Sequence, residues 1–299
     1  MFRRKQATLK IFLSLLRIMP HNIAVAFGRF AGRLARLILW RKTDICEARC
    51  VMSLGVGITI ARKIIRGSFV NLGMSAVEFI RLPAMRARIN ELVAFPRESV
   101  DVLREALSRG KGVILIVPHY GNWEYAAARI IDEGFPLHAV YTPQSDKAIE
   151  NIIMNTREKV SGMAMIDSNT GLREIFRVLK AGGIVIIMQD LDARKDGVIV
   201  DFLGMPASTH EGVVKLYNKF GCPVVPGRVI RDMDNPLHHT IMLPGILSDI
   251  PDKNGLPFGA NMKDSLQMCN DLIASWIKDR PELWLWLLDR WQYTLGKEI

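Results

Sequence analysis

Six consecutive residues, Gly112-Val113-Ile114-Leu115-Ile116-Val117, constrain this fold more than any other stretch of the chain. A continuous apolar run rich in β-branched side chains suits a strand covered on both faces, because a solvated face would show a polar residue at every second position. The run 184–188 (IVIIM) repeats the pattern, and 137–141, 163–166, 223–230 and 240–243 are further strand candidates. Segments 125–133, 148–160, 171–181 and 211–220, which lie between them, have helical spacing. This alternation predicts an α/β fold, with a central mixed, largely parallel sheet flanked by helices. In such sheets the functional loops lie beyond the carboxyl ends of the strands.

Residues 1–110 read differently. Residues 58–81 have apolar positions at helical spacing, with Pro83 expected to end that helix, and a second helix over 97–108 closes at Gly110. The start of the chain, Arg3-Arg4-Lys5 followed by the apolar run 9–16, resembles a signal peptide but is followed by Arg17, Ile18, Met19 and Pro20 rather than a small-residue cleavage site. Residues 23–40 are long enough to span a bilayer, but they carry Arg29, Arg33 and Arg36, which are costly in hydrocarbon. Spaced 4 and 3 apart, these arginines share one helix face, opposite Val25, Phe27, Phe30, Leu34, Leu37 and Ile38. The expectation is a membrane-associating segment over 1–45 that lies in an anionic interface, followed by an α/β domain over 46–299. The competing readings are a helix that packs its apolar stripe on the protein core and a single spanning anchor whose arginines snorkel to the interface.

Charge supports a partner of that kind. The net charge is +10, and its distribution is uneven: residues 1–110 hold 20 Lys/Arg against 7 Asp/Glu, and residues 111–299 hold 20 against 23. The basic residues are interleaved with Leu, Ile, Ala and Phe rather than set among exposed polar groups. This argues for a membrane surface and against nucleic acid. Four cysteines (Cys46, Cys50, Cys222, Cys269), with only one close pair and no companion Cys/His pair, do not make a zinc site and fit a reducing compartment. There is no G-x-S-x-G elbow, Gly-rich phosphate loop or dinucleotide motif.

The chemically suggestive loop is Pro118-His119-Tyr120-Gly121-Asn122-Trp123-Glu124, between the first apolar strand and a helix. If Glu124 accepts a hydrogen bond from one ring nitrogen of His119, the other is left as a base able to take a proton from an attacking hydroxyl. An H-x4-[DE] spacing is weak alone, since six histidines among 30 Asp/Glu would match by chance about as often as not. What raises His119 is its place after a buried strand. Asp190 stands at the end of another strand, where it reads either as a solvated carboxylate or cap, or as a partner that holds the base in place.

These stretches, with Arg157 followed by Gly162, the run from Gln189-Asp190 through Gly197 to Phe202-Leu203-Gly204 and Thr209, and the tail 281–286 with Arg290-Trp291, resemble the bacterial lipid A late acyltransferases of the H-x4-[DE] acyltransferase group. The resemblance implies acyl transfer from an acyl carrier protein (or coenzyme A) thioester to a hydroxyl of an anionic lipid A precursor, at the cytoplasmic face of the bacterial inner membrane, without metal or redox cofactor. It implies His119 as general base, Glu124 as its orienting partner and Arg157 against the oxyanion or a substrate phosphate. It also implies Asn122 and Asp190 as supporting residues and Arg228 as a phosphate contact. The chain departs from the family pattern at residues 50–54 and at Leu203, where a second Phe is typical. The acceptor therefore stays open between lipid A and another glycolipid, such as a phosphoinositol mannoside, or a glycerolipid. The rival of another class is a non-catalytic membrane protein that keeps the fold to hold lipid. Trp284, Trp286 and Trp291 read as core rather than as an interfacial belt.

Overall fold

The computed structural model describes residues 13–169 and 171–296. The basic start Arg3-Arg4-Lys5 and the beginning of the 9–16 run lie outside the described residues. After a helical stretch over 13–18 come three helices: α1 (His21–Ile38), α2 (Trp40–Leu54) and α3 (Ile58–Met85). Then follow β1 (Val93–Ala94), α4 (Arg97–Ser108), β2 (Val113–Val117), α5 (Trp123–Asp132), β3 (Leu137–Tyr141) and α6 (Lys147–Met154). A π-helical turn, Asn155–Ser161, leads to β4 (Ala164–Asp167), α7 (Leu172–Lys180) and β5 (Ile184–Met188). The chain continues through β6 (Val198–Phe202), β7 (Met205–Thr209), α8 (Gly212–Phe220), β8 (Val224–Pro226), β9 (Arg228–Arg231), β10 (His239–Met242) and α9 (Met262–Asp279).

The central sheet has five strands in the order β4-β3-β5-β2-β8, and each of its four pairings is parallel. The antiparallel pairings expected of a mixed sheet lie outside it, in β9–β10 and in the β6–β7 hairpin. β2 explains its own composition. Val113 and Leu115 face one core with residues of α4 and α5, whereas Ile114 and Ile116 face a second core with residues of α7, α8 and α9. β5 divides in the same way, with Ile184 and Ile186 on the first side and Val185 on the second. Since successive side chains point to opposite faces, two buried faces demand an unbroken apolar run.

Three expectations need correction. α3 continues through Pro83 to Met85: proline removes one N–H close to the helix end, and buried Leu82 and Met85 hold the last turn. The single strand expected over 223–230 is two strands in different sheets. They divide at Gly227, whose N–H still donates to the Ile116 carbonyl and where a Cβ would come within 2.7 Å of Leu243. Residues 198–209, absent from the strand candidates, form the β6–β7 hairpin around Leu203-Gly204, both with positive φ (55° and 79°), the backbone twist that tight hairpins favour.

α1 uses three faces rather than two. Ala24, Val25, Gly28 and Gly32 are buried against α3, so Val25 belongs to the packed face. The approach is close enough that a Cβ on Gly32 would run into the Phe69 carbonyl and one on Gly73 into the Gly28 carbonyl. Of the arginines, Arg36 is tied to Glu47 of α2 at 2.7 Å. The third face presents Ile23, Phe30, Leu34, Leu37 and Ile38 to the exterior. No helix among the described residues is long and apolar enough to cross a membrane.

Candidate active site

Parallel register brings the site together. β2 and β5 are paired so that Val117 lies opposite Met188. Two residues beyond each, His119 and Asp190 leave the sheet side by side although 71 residues separate them in sequence. His119 Nδ1 lies 2.9 Å from Asp190 Oδ1, and the His119 backbone N–H donates to Oδ2 at 2.7 Å. Asp190 is fully buried, and its Oδ2 also accepts from the Trp284 indole N–H at 2.9 Å. Burial alone would raise its carboxyl pKa, but the His119 charge and these three donors outweigh it and hold the group below its ordinary value of 3.8. The Asp190 partnership fixes which ring nitrogen remains: Nε2 is left to the cavity that His119 lines.

Glu124 sits in the first turn of α5, as its sequence position implies, but its partner is Arg157 rather than His119. Arg157 donates through Nε (3.1 and 3.2 Å) and Nη2 (2.5 Å) to the Glu124 carboxylate, a fork-on-carboxylate pair. The π-helical turn presents this arginine, an irregularity often found where a side chain must be aimed. The imidazole contact expected of Glu124 is made by Asp190, and Glu124 holds Arg157 beside the imidazole.

The loop between His119 and Glu124 is locked from behind. Gly121 takes φ +63°, where a Cβ would meet the Val229 carbonyl, so only glycine fits the turn. Asn122 is buried: its Oδ1 caps α5 by accepting from the Tyr125 N–H at 3.0 Å, and its Nδ2 donates to Glu78 Oε2 at 2.7 Å. It thereby ties the loop to α3. Glu78 in turn meets Arg231 and His239, all three buried. Burial would raise the Glu78 carboxyl pKa, but the Arg231 and His239 charges outweigh it and bring it to about 2. Ser68, Asn71, Ser75 and Glu78 form one polar stripe on α3. Ser68 Oγ donates to the Trp284 carbonyl (2.5 Å), Asn71 Nδ2 to the Gly121 and Leu283 carbonyls (3.4 Å each), and Ser75 Oγ to the Gly121 carbonyl (3.3 Å). This stripe is not among the sequence expectations, and its signal is a polar i, i+3, i+7, i+10 series along α3.

A cavity of about 780 Å³, counted to its open mouth, runs from His119 down between the sheet and α5. His119, Glu124, Arg157 and Arg228 are its polar liners, and the remainder is mostly apolar, including Leu115, Ala127, Ile130, Ile186, Val229 and Leu243. Arg228 stacks over Trp276 at 5.5 Å and pairs with Asp279 at 3.1 Å. Trp123 meets the His119 ring edge-on at 5.2 Å. Trp284, Trp286 and Trp291 are core, as expected, and pack on one another and on Phe202. The four cysteines are buried, and burial pushes the Cys46 and Cys50 thiols up to about 12.

The profile of the family described as bacterial lipid A biosynthesis acyltransferase matches residues 7–293. Among similar curated proteins, the phosphatidylinositol mannoside acyltransferase of Mycolicibacterium smegmatis is 28% identical over 168 residues, 54% of each chain. The lipid A biosynthesis acyltransferase of Haemophilus influenzae is 25% identical over 193 residues, 63% of this chain and 56% of that protein. The phosphatidylinositol mannoside acyltransferase of Mycobacterium tuberculosis (strain CDC 1551 / Oshkosh) is 27% identical over 158 residues, 50% of this chain and 48% of that protein. The alignments thus span about half the length of the curated relatives.

Proposed function

The chain belongs to the bacterial lipid A biosynthesis acyltransferase family, and from that membership we propose that it transfers a fatty acyl group from a thioester to a hydroxyl of an anionic glycolipid. What supports this most is the His119–Asp190 pair at the mouth of an apolar cavity, beside the Arg157–Glu124 pair. His119 Nε2 takes the proton of the acceptor hydroxyl while its oxygen attacks the thioester carbonyl. Asp190, fixed on Nδ1, stabilises the imidazolium that forms. As the tetrahedral intermediate collapses, the C–S bond breaks and the imidazolium returns its proton to the leaving thiolate. The Arg157 guanidinium, held flat by Glu124, supplies positive charge to the developing oxyanion or to an acceptor phosphate. The acyl chain occupies the apolar length of the cavity.

The donor is an acyl carrier protein or coenzyme A thioester. The acceptor is a lipid A precursor or a phosphatidylinositol mannoside, since similar proteins carry both names. The exposed apolar ridge of α1, next to Arg29 and Arg33, suits an anionic bilayer, and the corresponding location is the cytoplasmic face of the inner membrane. The test is transfer of radiolabelled acyl groups from either donor to a panel of both acceptors in detergent, with His119→Ala and Asp190→Asn beside the wild type. Labelled product from the wild type, reduced on the order of 10²- to 10⁴-fold in both folded variants, is the expected outcome. Absence of product across the panel would transfer the chain to the lipid-holding, non-catalytic reading.

A further inference from the structure

We propose that Trp284, from the C-terminal segment, is a positioning residue that sets the basicity of the His119–Asp190 pair through its indole N–H. The inference rests on the acyl-transfer reading of that pair. Trp284 is fully buried, and its Nε1–H donates at 2.9 Å to Asp190 Oδ2, the oxygen that also receives the His119 backbone N–H. The other oxygen, Oδ1, faces the imidazole. The carboxylate is thus pinned from behind while it holds the ring in front.

The indole has little freedom to leave that position. Its ring is boxed by Trp286 at 4.8 Å, Phe202 at 5.7 Å and Trp291 at 5.9 Å. Its backbone is stitched to the loop of the base: Tyr120 and Trp284 form an antiparallel bridge, the Leu285 N–H donates to the His119 carbonyl at 3.0 Å, and the Gly121 N–H donates to the Leu283 carbonyl at 2.9 Å. One short segment therefore fixes both members of the pair, His119 through the main chain and Asp190 through the side chain. Trp286 and Trp291 are equally buried, yet their indoles donate to the Pro281 and Phe202 carbonyls, so Trp284 has a different role from its neighbours.

The electrostatic consequence has a definite sign. A donor on Oδ2 disperses the carboxylate charge, and removing it makes Asp190 a stronger acceptor that holds an imidazolium more tightly. The His119 titration then moves to higher pH, and the acid limb of the rate profile moves with it. The other charged groups around the pair are Arg290 behind Asp190 and Glu124, Arg157 and Arg228 along the cavity. The substitution changes none of them.

The experiment uses the full-length protein in detergent with Trp284→Phe, and with Trp284 replaced by 3-benzothienylalanine, which keeps the bicyclic shape but has sulfur in place of N–H. His119 is titrated by NMR on histidine-labelled protein, assigned by its loss in His119→Gln, and log kcat/KM is measured against pH. In both variants the His119 midpoint and the acid limb are expected to rise by about half a pH unit, and kcat/KM on the acid limb to fall about threefold. If the benzothienyl protein matches the wild type in both readouts, the indole acts through shape alone and the proposal is overturned. Should the wild type transfer no acyl group, the functional reading fails, and the NMR titration still decides what Trp284 does to the pair.

Discussion

At the scale of single residues, the site separates two jobs that an H-x4-E motif read by itself assigns to one carboxylate. Asp190 meets the His119 imidazole, and Glu124 holds the Arg157 guanidinium beside it. The two acids should therefore fail differently. Glu124→Gln leaves the His119–Asp190 contact intact and weakens the Arg157 fork, so kcat/KM should fall about 10- to 100-fold with the acid limb of the pH profile in place. Asp190→Asn should move that limb. Initial rates from pH 5 to 9 for both variants check the division. Arg157→Lys should resemble Glu124→Gln, because a point charge cannot reproduce two parallel hydrogen bonds.

At the scale of elements, the α1–α3 seam is the most sensitive to added volume. Gly28 and Gly32 meet Gly73 backbone to backbone, leaving no room for a β-carbon. Gly73→Val is expected to cost about 1–3 kcal/mol and to lower the thermal midpoint, whereas Gly57→Ala, in open space at the start of α3, should be neutral or slightly stabilising. Thermal melts followed by circular dichroism compare the two. The polar stripe of α3 adds a second dependence: Ser68, Asn71, Ser75 and Glu78 reach the 118–124 loop and the C-terminal segment from one helix, so α3 aligns parts of the chain that lie 44 to 218 residues away.

At the scale of the whole molecule, two properties follow from what is buried and what is left outside. Glu78 titrates at about 2 in the fold against an ordinary 4.5, so the unfolded chain takes up its proton first as pH falls. Its contribution to stability is complete above pH 4.5 and is lost as pH drops towards 2. Buried His239 is lowered from 6.5 by desolvation, and its preference for the neutral form costs stability once pH falls below 6.5. The thermal midpoint of the wild type should therefore decline below pH 6.5 and more steeply below 4.5. Glu78→Gln should lose about 3–5 kcal/mol at neutral pH, because Arg231 is left without its partner charge, and should flatten the profile below 4.5. On the outside, Phe30→Glu with Leu37→Glu on the exposed face of α1 should weaken co-sedimentation with anionic vesicles at least about tenfold, with the melting profile unchanged, if that ridge is the membrane face.

What could be read from the chain and what could not follow from the range of the forces involved. Strands β2 and β5 were legible because burial on two faces writes itself into every residue of a run, and α4 because its periodicity and the glycine after it are local. His119 was legible through its place after a strand. Its partnership was not: an acid five residues away is the nearest candidate along the chain, whereas the structure uses one 71 residues away that only the β2–β5 register brings alongside. The β6–β7 hairpin was hidden by Leu203, a residue that rarely takes positive φ. Local burial patterns were enough to read a two-sided, largely parallel sheet with a histidine at its carboxyl edge. Which acid meets that histidine, which one holds the arginine, and that Trp284 closes the pair from behind came from the fold, because hydrogen bonds between distant segments leave no periodicity in the chain.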